Sequence, residues 1–225
     1  PDYAPMQFDC NESFKFICNG AWDPRKNMVG LITAFQAEFR KDEDVCLIIK
    51  TINLGLSKGI AEELKAIKHD KKSAQVYVKE ERLTPYELPS FYTAGDCFVL
   101  PTRGEGWGLP LFEALACGIP VITTDWGAGA ELLRDEKGEP YKGVKFIRSQ
   151  KTITDTPYVY LQGNYWAEPS IPHLRKLMRE SFENREAEKK LAMETSPIIR
   201  EKYDWTNVCK PIKERIKTIY MEKMK

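Results

Sequence analysis

The sequence is poor in histidine, with only His69 and His173. So few imidazoles leave little room for a serine-histidine-acid triad, and no G-x-S-x-G elbow is present to expose a nucleophile. Six cysteines are scattered at positions 10, 18, 46, 97, 117 and 209 without a C-x-x-C pair. Neither histidine stands at ligand spacing to a cysteine cluster, so zinc is not expected. Cys18, Cys46 and Cys97 fall in strand-like apolar runs, where a free thiol serves as a small core residue. A reducing, cytoplasmic setting is the simplest expectation. A charge surplus is missing too: 34 basic against 33 acidic residues give a formal net charge of +1. That balance argues against nucleic acid or an anionic membrane as the main partner. No apolar run approaches the ~20 residues of a bilayer span, so no integral membrane segment is expected. No G-x-x-x-x-G-K-[ST] motif exists, and Gly104, Gly106 and Gly108 fail G-x-G-x-x-G because Leu109 holds the last place.

What remains is an ordinary globular composition, 42% hydrophobic and 30% charged, in a chain of 225 residues that can bury one sizeable core. The pattern alternates strands and helices. Strands are read at Phe14–Asn19, Val45–Lys50, Gln75–Val78, Cys97–Leu100 and Pro120–Thr123, with a sixth at Val144–Ile147. Helices are read at Asn27–Phe39, Ser57–Lys68, Pro85–Thr93 and Leu109–Cys117. Continuous apolar strands separated by helices predict a Rossmann-like α/β fold, a parallel sheet with helices on both faces. The rhythm changes after Gly129. Lys151–Tyr160 has no clear pattern, and helices at Ser170–Glu183, Glu186–Lys202 and Thr206–Met224 give a helical C-terminal end. Residues 1–13 read as a lead-in or linker to one domain of residues 14–225.

The most informative stretch runs from Glu105 to Glu113. A short strand enters a loop with Gly104, Gly106 and Gly108, and the loop feeds a helix at Leu109. Such glycines let backbone amides approach a ligand, and a helix start adds its positive dipole end, which suits phosphate. The two acids are eight residues apart, about two turns of helix. Carboxylates can accept from paired hydroxyls, so a phosphate seat with two such acids describes a nucleotide-sugar site. A glycoside hydrolase would instead face its two acids across an open cleft. On the same predicted sheet edge, Arg25 and Lys26 precede a helix, where they can neutralise a leaving diphosphate. Alone, such a pair is more often solvated surface, and Glu113 alone would be a surface acid. The apolar residues Leu111, Phe112, Ala114, Leu115 and Ala116 around Glu113 predict instead a buried carboxylate that needs donors.

The segment AGDCFVLPTRGEGWGLPLFEALACGIPVI, residues 94–122, resembles the retaining glycosyltransferases of the GT-B fold, family 4. The resemblance extends more weakly over residues 14–212. It implies that the chain is the C-terminal, donor-binding half of such an enzyme, with the acceptor domain absent. The implied reaction moves a hexose from a nucleotide-diphospho-sugar to a sugar, lipid-linked or protein acceptor, with retention and without a metal or other cofactor. By the same resemblance Glu105 meets sugar hydroxyls, Glu113 the ribose, and the backbone of Gly106, Trp107, Gly108 and Leu109 the sugar and diphosphate. Arg25 and Lys26 stabilise the leaving group. The strand end at Tyr77, Val78 and Lys79 meets the base, or is an ordinary strand end. Trp107 packs in the core or lines the sugar pocket. The chain departs from the family at Ala21, where an arginine often follows the loop glycine. That departure favours the rival reading, a non-catalytic nucleotide-sugar sensor or scaffold. Alone, the domain is expected to bind donor weakly and turn over little.

Overall fold

The computed structural model describes residues 3–52, 72–154 and 162–223. Its centre is a six-stranded, all-parallel sheet in the order β3-β2-β1-β4-β5-β6. The strands are β1 (Phe14–Asn19), β2 (Val45–Thr51), β3 (Gln75–Glu80), β4 (Cys97–Leu100), β5 (Val121–Thr124) and β6 (Val144–Ile147). β1, β2, β4 and β5 are buried almost throughout, as runs covered on both faces must be. The covering helices are α1 (Met28–Glu38), α2 (Leu88–Thr93), α3 (Leu109–Ala116), α4 (Gly127–Leu132), α5 (Ile171–Glu183), α6 (Arg185–Tyr203) and α7 (Trp205–Lys223). α1 packs on α5, and α3 packs on α2 and α6. Phe14, Phe16, Phe35, Phe39 and Phe182 interlock edge to face or tilted beneath α1 and α5.

Most element boundaries match the sequence reading within a few residues, and the departures have local causes. Pro24–Lys26 forms a separate 3-10 turn, capped by the Asp23 side chain, and Asn27 turns the chain at φ 57° before α1 starts at Met28. The β2–β3 ladder continues residue for residue from Cys46↔Gln75 to Thr51↔Glu80. This corrects the strand end expected at Tyr77–Lys79: Val78 and Lys79 lie inside the ladder, and the true end is Glu80. Ser149–Ile153 (β7) and Tyr165–Pro169 (β8) form an antiparallel hairpin that the sequence pattern did not reveal. The helix expected at Ser57–Lys68 lies outside the described residues.

The strand order reverses between β1 and β4. β2 and β3 extend the sheet on one side, β5 and β6 on the other. Loops leaving the carboxyl ends of β1 and β4 therefore diverge and leave a crevice, the usual ligand position in open α/β sheets. Gly20–Asn27 is the β1 loop and Pro101–Gly108 the β4 loop. Arg25 and Lys26 lie on the first of these loops and Glu105 on the second.

α7 is different in kind. Every described residue in it is solvent-accessible, yet Trp205 is 80%, Ile216 62% and Tyr220 61% exposed. Val208, Ile212, Ile216 and Tyr220 recur every fourth position, so they share one face.

Candidate functional site

The two loops are stitched together by backbone before any side chain is considered. Arg103 N donates to Arg25 O at 2.7 Å, and the Thr102 hydroxyl lies 3.1 Å from the same carbonyl. Arg103 reaches further: its guanidinium pairs with Glu168 on β8, stacks over the Trp166 ring and donates to Pro24 O. The unforeseen hairpin thus buttresses the crevice from outside.

Within this frame Arg25, Lys26 and Glu105 converge. Lys26 Nζ lies 2.7 Å and Arg25 Nη1 3.0 Å from Glu105 Oε1, and the Thr102 hydroxyl lies 3.0 Å from the same oxygen. The Lys26 and Glu105 side chains are only 10% and 8% exposed, whereas Arg25 is 41% exposed. The cations expected to face a diphosphate therefore hold the acid expected to face a sugar. The Lys26–Glu105 pair is dry enough to need both its members, since an uncompensated charge here is costly. Beneath it, burial pushes the Cys18 thiol up to about 12, with Lys26 acting against and Glu105 with that rise. Cys18 is core, not chemistry.

The glycine loop lies above. A Cβ on Gly104 or Gly106 would meet nothing within 4 Å, so their side-chain faces border open space. Gly108 has φ 70° and caps α3, and a Cβ there would come within 2.8 Å of Leu111 Cδ1. This glycine is required by the turn; the other two keep the loop bare. Trp107 and Leu109 are 58% and 62% exposed, which excludes the core reading of Trp107.

Glu113 is half-buried rather than enclosed, because α3 turns this position toward a cleft of about 500 Å³ lined by Leu88, Pro85, Tyr92, Met193 and Arg200. Its donor within the chain is Tyr92, whose hydroxyl gives a 2.6 Å bond to Glu113 Oε2. Asn19 Nδ2, at the end of β1, donates to the Tyr92 oxygen at 3.1 Å. Burial first, and Glu113 next, hold the Tyr92 phenol far above its ordinary range, so it stays a donor. Lys50, near the end of β2, has its pKa lowered mainly by burial and further by Arg82, while Glu81 and, to a smaller extent, Glu113 draw it back up. Tyr92, Asn19 and Lys50 were missed in the sequence. Glu113 is not among the described partners of the triplet; it is tied to the same sheet edge through Tyr92 and Asn19. Val78 and Lys79 stand further out on the edge strand, where Lys79 lies over the Phe8 ring.

Fold and crevice define a class: a Rossmann-like domain with its ligand-facing loops at a switch point. The chain belongs to the family described as glycosyl transferases group 1, whose model matches residues 13–148. It is 52% identical over 46 residues to the lipopolysaccharide core biosynthesis mannosyltransferase LpsB of Rhizobium meliloti (strain 1021), covering 20% of this chain and 13% of that protein. It is 29% identical over 117 residues to the O-antigen chain mannosyltransferase B of Escherichia coli, covering 52% of this chain and 30% of that one. The chain thus spans less than a third of these relatives in the matched regions. Among solved structures, the C-terminal domain of the glycosyl transferase group 1 family protein LpcC from Francisella tularensis shares the fold at TM-score 0.59 and 20% identity, covering 90% and 89% of the two chains. Anabaena Alr3699/HepE in complex with UDP and glucose shares it at TM-score 0.63 and 18% identity, over 91% of this chain and 48% of that one. Among the described residues, no helix is long and apolar enough to cross a membrane.

Proposed function

We propose that this chain is the donor-binding half of a retaining hexosyltransferase, acting on a nucleotide-diphospho-sugar in the cytoplasm. The observation that carries the reading is the convergence of Arg25 and Lys26 on Glu105 under a bare glycine loop at the switch point. The relatives named as mannosyltransferases, and the solved neighbour holding UDP and glucose, support a nucleotide-sugar as donor.

In this reading the diphosphate enters between the β1 and β4 loops and draws Arg25 and Lys26 toward its oxygens. Glu105, relieved of part of its pairing, turns acceptor to sugar hydroxyls. As the anomeric C–O bond breaks, charge grows on the leaving phosphate oxygen. The two cations and the amides of Gly106, Trp107, Gly108 and Leu109 face that charge, so the step needs no metal. Glu113, oriented by Tyr92, accepts from the ribose. The base lies toward β3, whose edge position leaves one row of backbone groups outward near Val78 and Lys79. Retention follows from the family resemblance. The acceptor, a sugar, a lipid-linked group or a protein, belongs to an N-terminal domain outside this chain. The apolar face of α7 is the surface that domain would cover.

One observation favours the rival scaffold reading: Ala21 supplies no cation, and both remaining cations are engaged by Glu105. Calorimetry with UDP-, GDP- and ADP-sugars separates the two. Binding of one donor, weakened by Glu113→Ala, supports the transferase. Failure of every donor to bind establishes the scaffold. Sugar transfer at ordinary enzymatic rates by this chain alone would refute the half-enzyme assignment.

A further inference from the structure

The opposite edge of the sheet carries a second constellation. Cys46 sits at the amino end of β2, far along the strand from the carboxyl-end crevice. The lead-in segment crosses toward it. Met6 N bonds to Ser90 O at 2.8 Å, Phe8 packs edge-on against Phe91, and the chain then passes Cys10 and Glu12 before entering β1. The Cys10 and Cys46 sulfurs and a Glu12 carboxylate oxygen all lie within 4.8 Å of one another. Cys46 is buried, and Cys10 and Glu12 are partly buried.

A second, independent observation points to a ligand. Glu12 Oε2 is buried and has no hydrogen-bond partner. A carboxylate oxygen withdrawn from water without a donor is costly, and such an atom calls for an ion or a water. The nearby cation offers no relief to the carboxylate by hydrogen bond: Lys15 Nζ spends a bond on the Glu12 backbone carbonyl at 2.7 Å.

We propose that Cys10, Glu12 and Cys46 form a zinc site with three protein ligands that clips the lead-in segment to β2. Two sulfurs and one carboxylate are a donor set suited to zinc. Bond lengths of about 2.0–2.3 Å place tetrahedral ligand atoms roughly 3.5–3.8 Å apart, so separations of up to 4.8 Å have to contract by at most about 1.3 Å. Water fills the fourth position through the side left open by Cys10 and Glu12. On binding, two Zn–S bonds and one Zn–O bond form, the two thiol protons pass to solvent, and zinc sheds the displaced waters. The ion fixes how the chain enters β1, and so the direction from which any preceding domain approaches. It takes no part in sugar transfer and stands or falls separately from the donor reading.

The test uses the full chain under reducing conditions, with cobalt(II) as probe and zinc(II) as competitor. The expected result is one equivalent of cobalt binding with release of two protons per ion and a thiolate-to-metal charge-transfer band, which zinc then removes by exchange without further proton release. Cys10→Ser should abolish the band, Glu12→Gln should weaken metal affinity by about tenfold or more, and Cys209→Ser, on exposed α7, should change nothing. Cys10 and Glu12 are partly exposed, so both variants should fold where a change at buried Cys46 could fail. No band, a band that survives Cys10→Ser, or a Cys10–Cys46 disulfide formed in the presence of zinc would each overturn the site. Nucleotide binding by calorimetry should be the same in Cys10→Ser and the parent chain.

Discussion

Replacing Glu105 by glutamine tests the centre of the crevice directly. The carboxylate and its Lys26 partner are 8% and 10% exposed and 2.7 Å apart. Removing one member of a buried pair leaves the other charge stranded, at about 3–5 kcal/mol. Glutamine keeps an oxygen for Lys26 and Thr102, which argues for the low end, about 3 kcal/mol. For a chain of this size each kcal/mol moves the thermal midpoint about 2–4 °C, so Glu105→Gln should lower it by roughly 6–12 °C. A nucleoside diphosphate brings the missing counter-charge. In the parent chain it must compete with Glu105 for Arg25 and Lys26; in the variant it does not. Saturating UDP, GDP or ADP should therefore raise the variant's midpoint more than the parent's, while preference for the nucleotide-sugar over the bare diphosphate falls. Lys26→Met added to Glu105→Gln should recover most of the stability loss, because no buried charge is then unpaired, and should abolish the rescue by nucleotide. Thermal scans with and without nucleotide give every term. A midpoint drop under about 2 °C, or an equal nucleotide shift in parent and variant, would show that the triplet is neither dry nor a phosphate seat.

Three further outcomes follow from the same geometry. Tyr92→Phe removes a hydroxyl bonded to both Glu113 and Asn19 and should cost about 1.5–3 kcal/mol of stability, the range for a hydrogen bond to a charged group. Donor affinity should fall about tenfold, and the same change in a Glu113→Ala background should leave affinity unaltered; a persisting effect would show that Tyr92 does not act through Glu113. Gly108→Ala should destabilise by about 1–2 kcal/mol because of its left-handed φ of 70°, whereas Gly106→Ala, with open space at its Cβ, should hold stability within about 0.5 kcal/mol and lose donor binding. Hydrogen bonding to Arg179 holds the Glu43 carboxyl below its ordinary 4.5, so its stabilisation is present above that pH and lost as pH falls through the lower folded value. Thermal midpoints should drop below pH 4.5 in the parent chain and drop less in Glu43→Gln; parallel profiles would remove Glu43 from the account.

The sheet was legible because each buried strand is a short apolar run and each helix carries its own punctuation. Ser170 caps α5 by accepting from His173 N, and Gly108 takes the positive φ that opens α3. The β7–β8 hairpin was not legible. Its strand residues are largely exposed on β7, and its pairing of Ser149 with Pro169 is not written in local periodicity. The end of β3 was misplaced for a related reason: Lys79 and Glu80 look like loop residues, yet an edge strand tolerates them once β2 extends to Thr51 beside it.

The site divides along the same line. Arg25, Lys26 and Glu105 could be proposed together because their loops leave adjacent strands of a parallel sheet, and such a sheet gathers its carboxyl ends on one edge. Their mutual pairing could not be foreseen, because residue type says what a side chain can bind, not what it binds when the ligand is away. Tyr92 shows the limit more sharply. It sits 21 residues before Glu113 and 73 after Asn19, in a segment that reads as an ordinary apolar helix. Only the packing of α2 on α3 turns its hydroxyl onto the carboxylate. Burial then makes that contact consequential: a phenol that stays protonated keeps donating to Glu113 while its oxygen accepts from Asn19, and the acid is held from within the chain. An acid so restrained has one oxygen fixed by Tyr92 and the direction of the other set by the packing of α2 on α3, which no residue-by-residue reading of either helix contains.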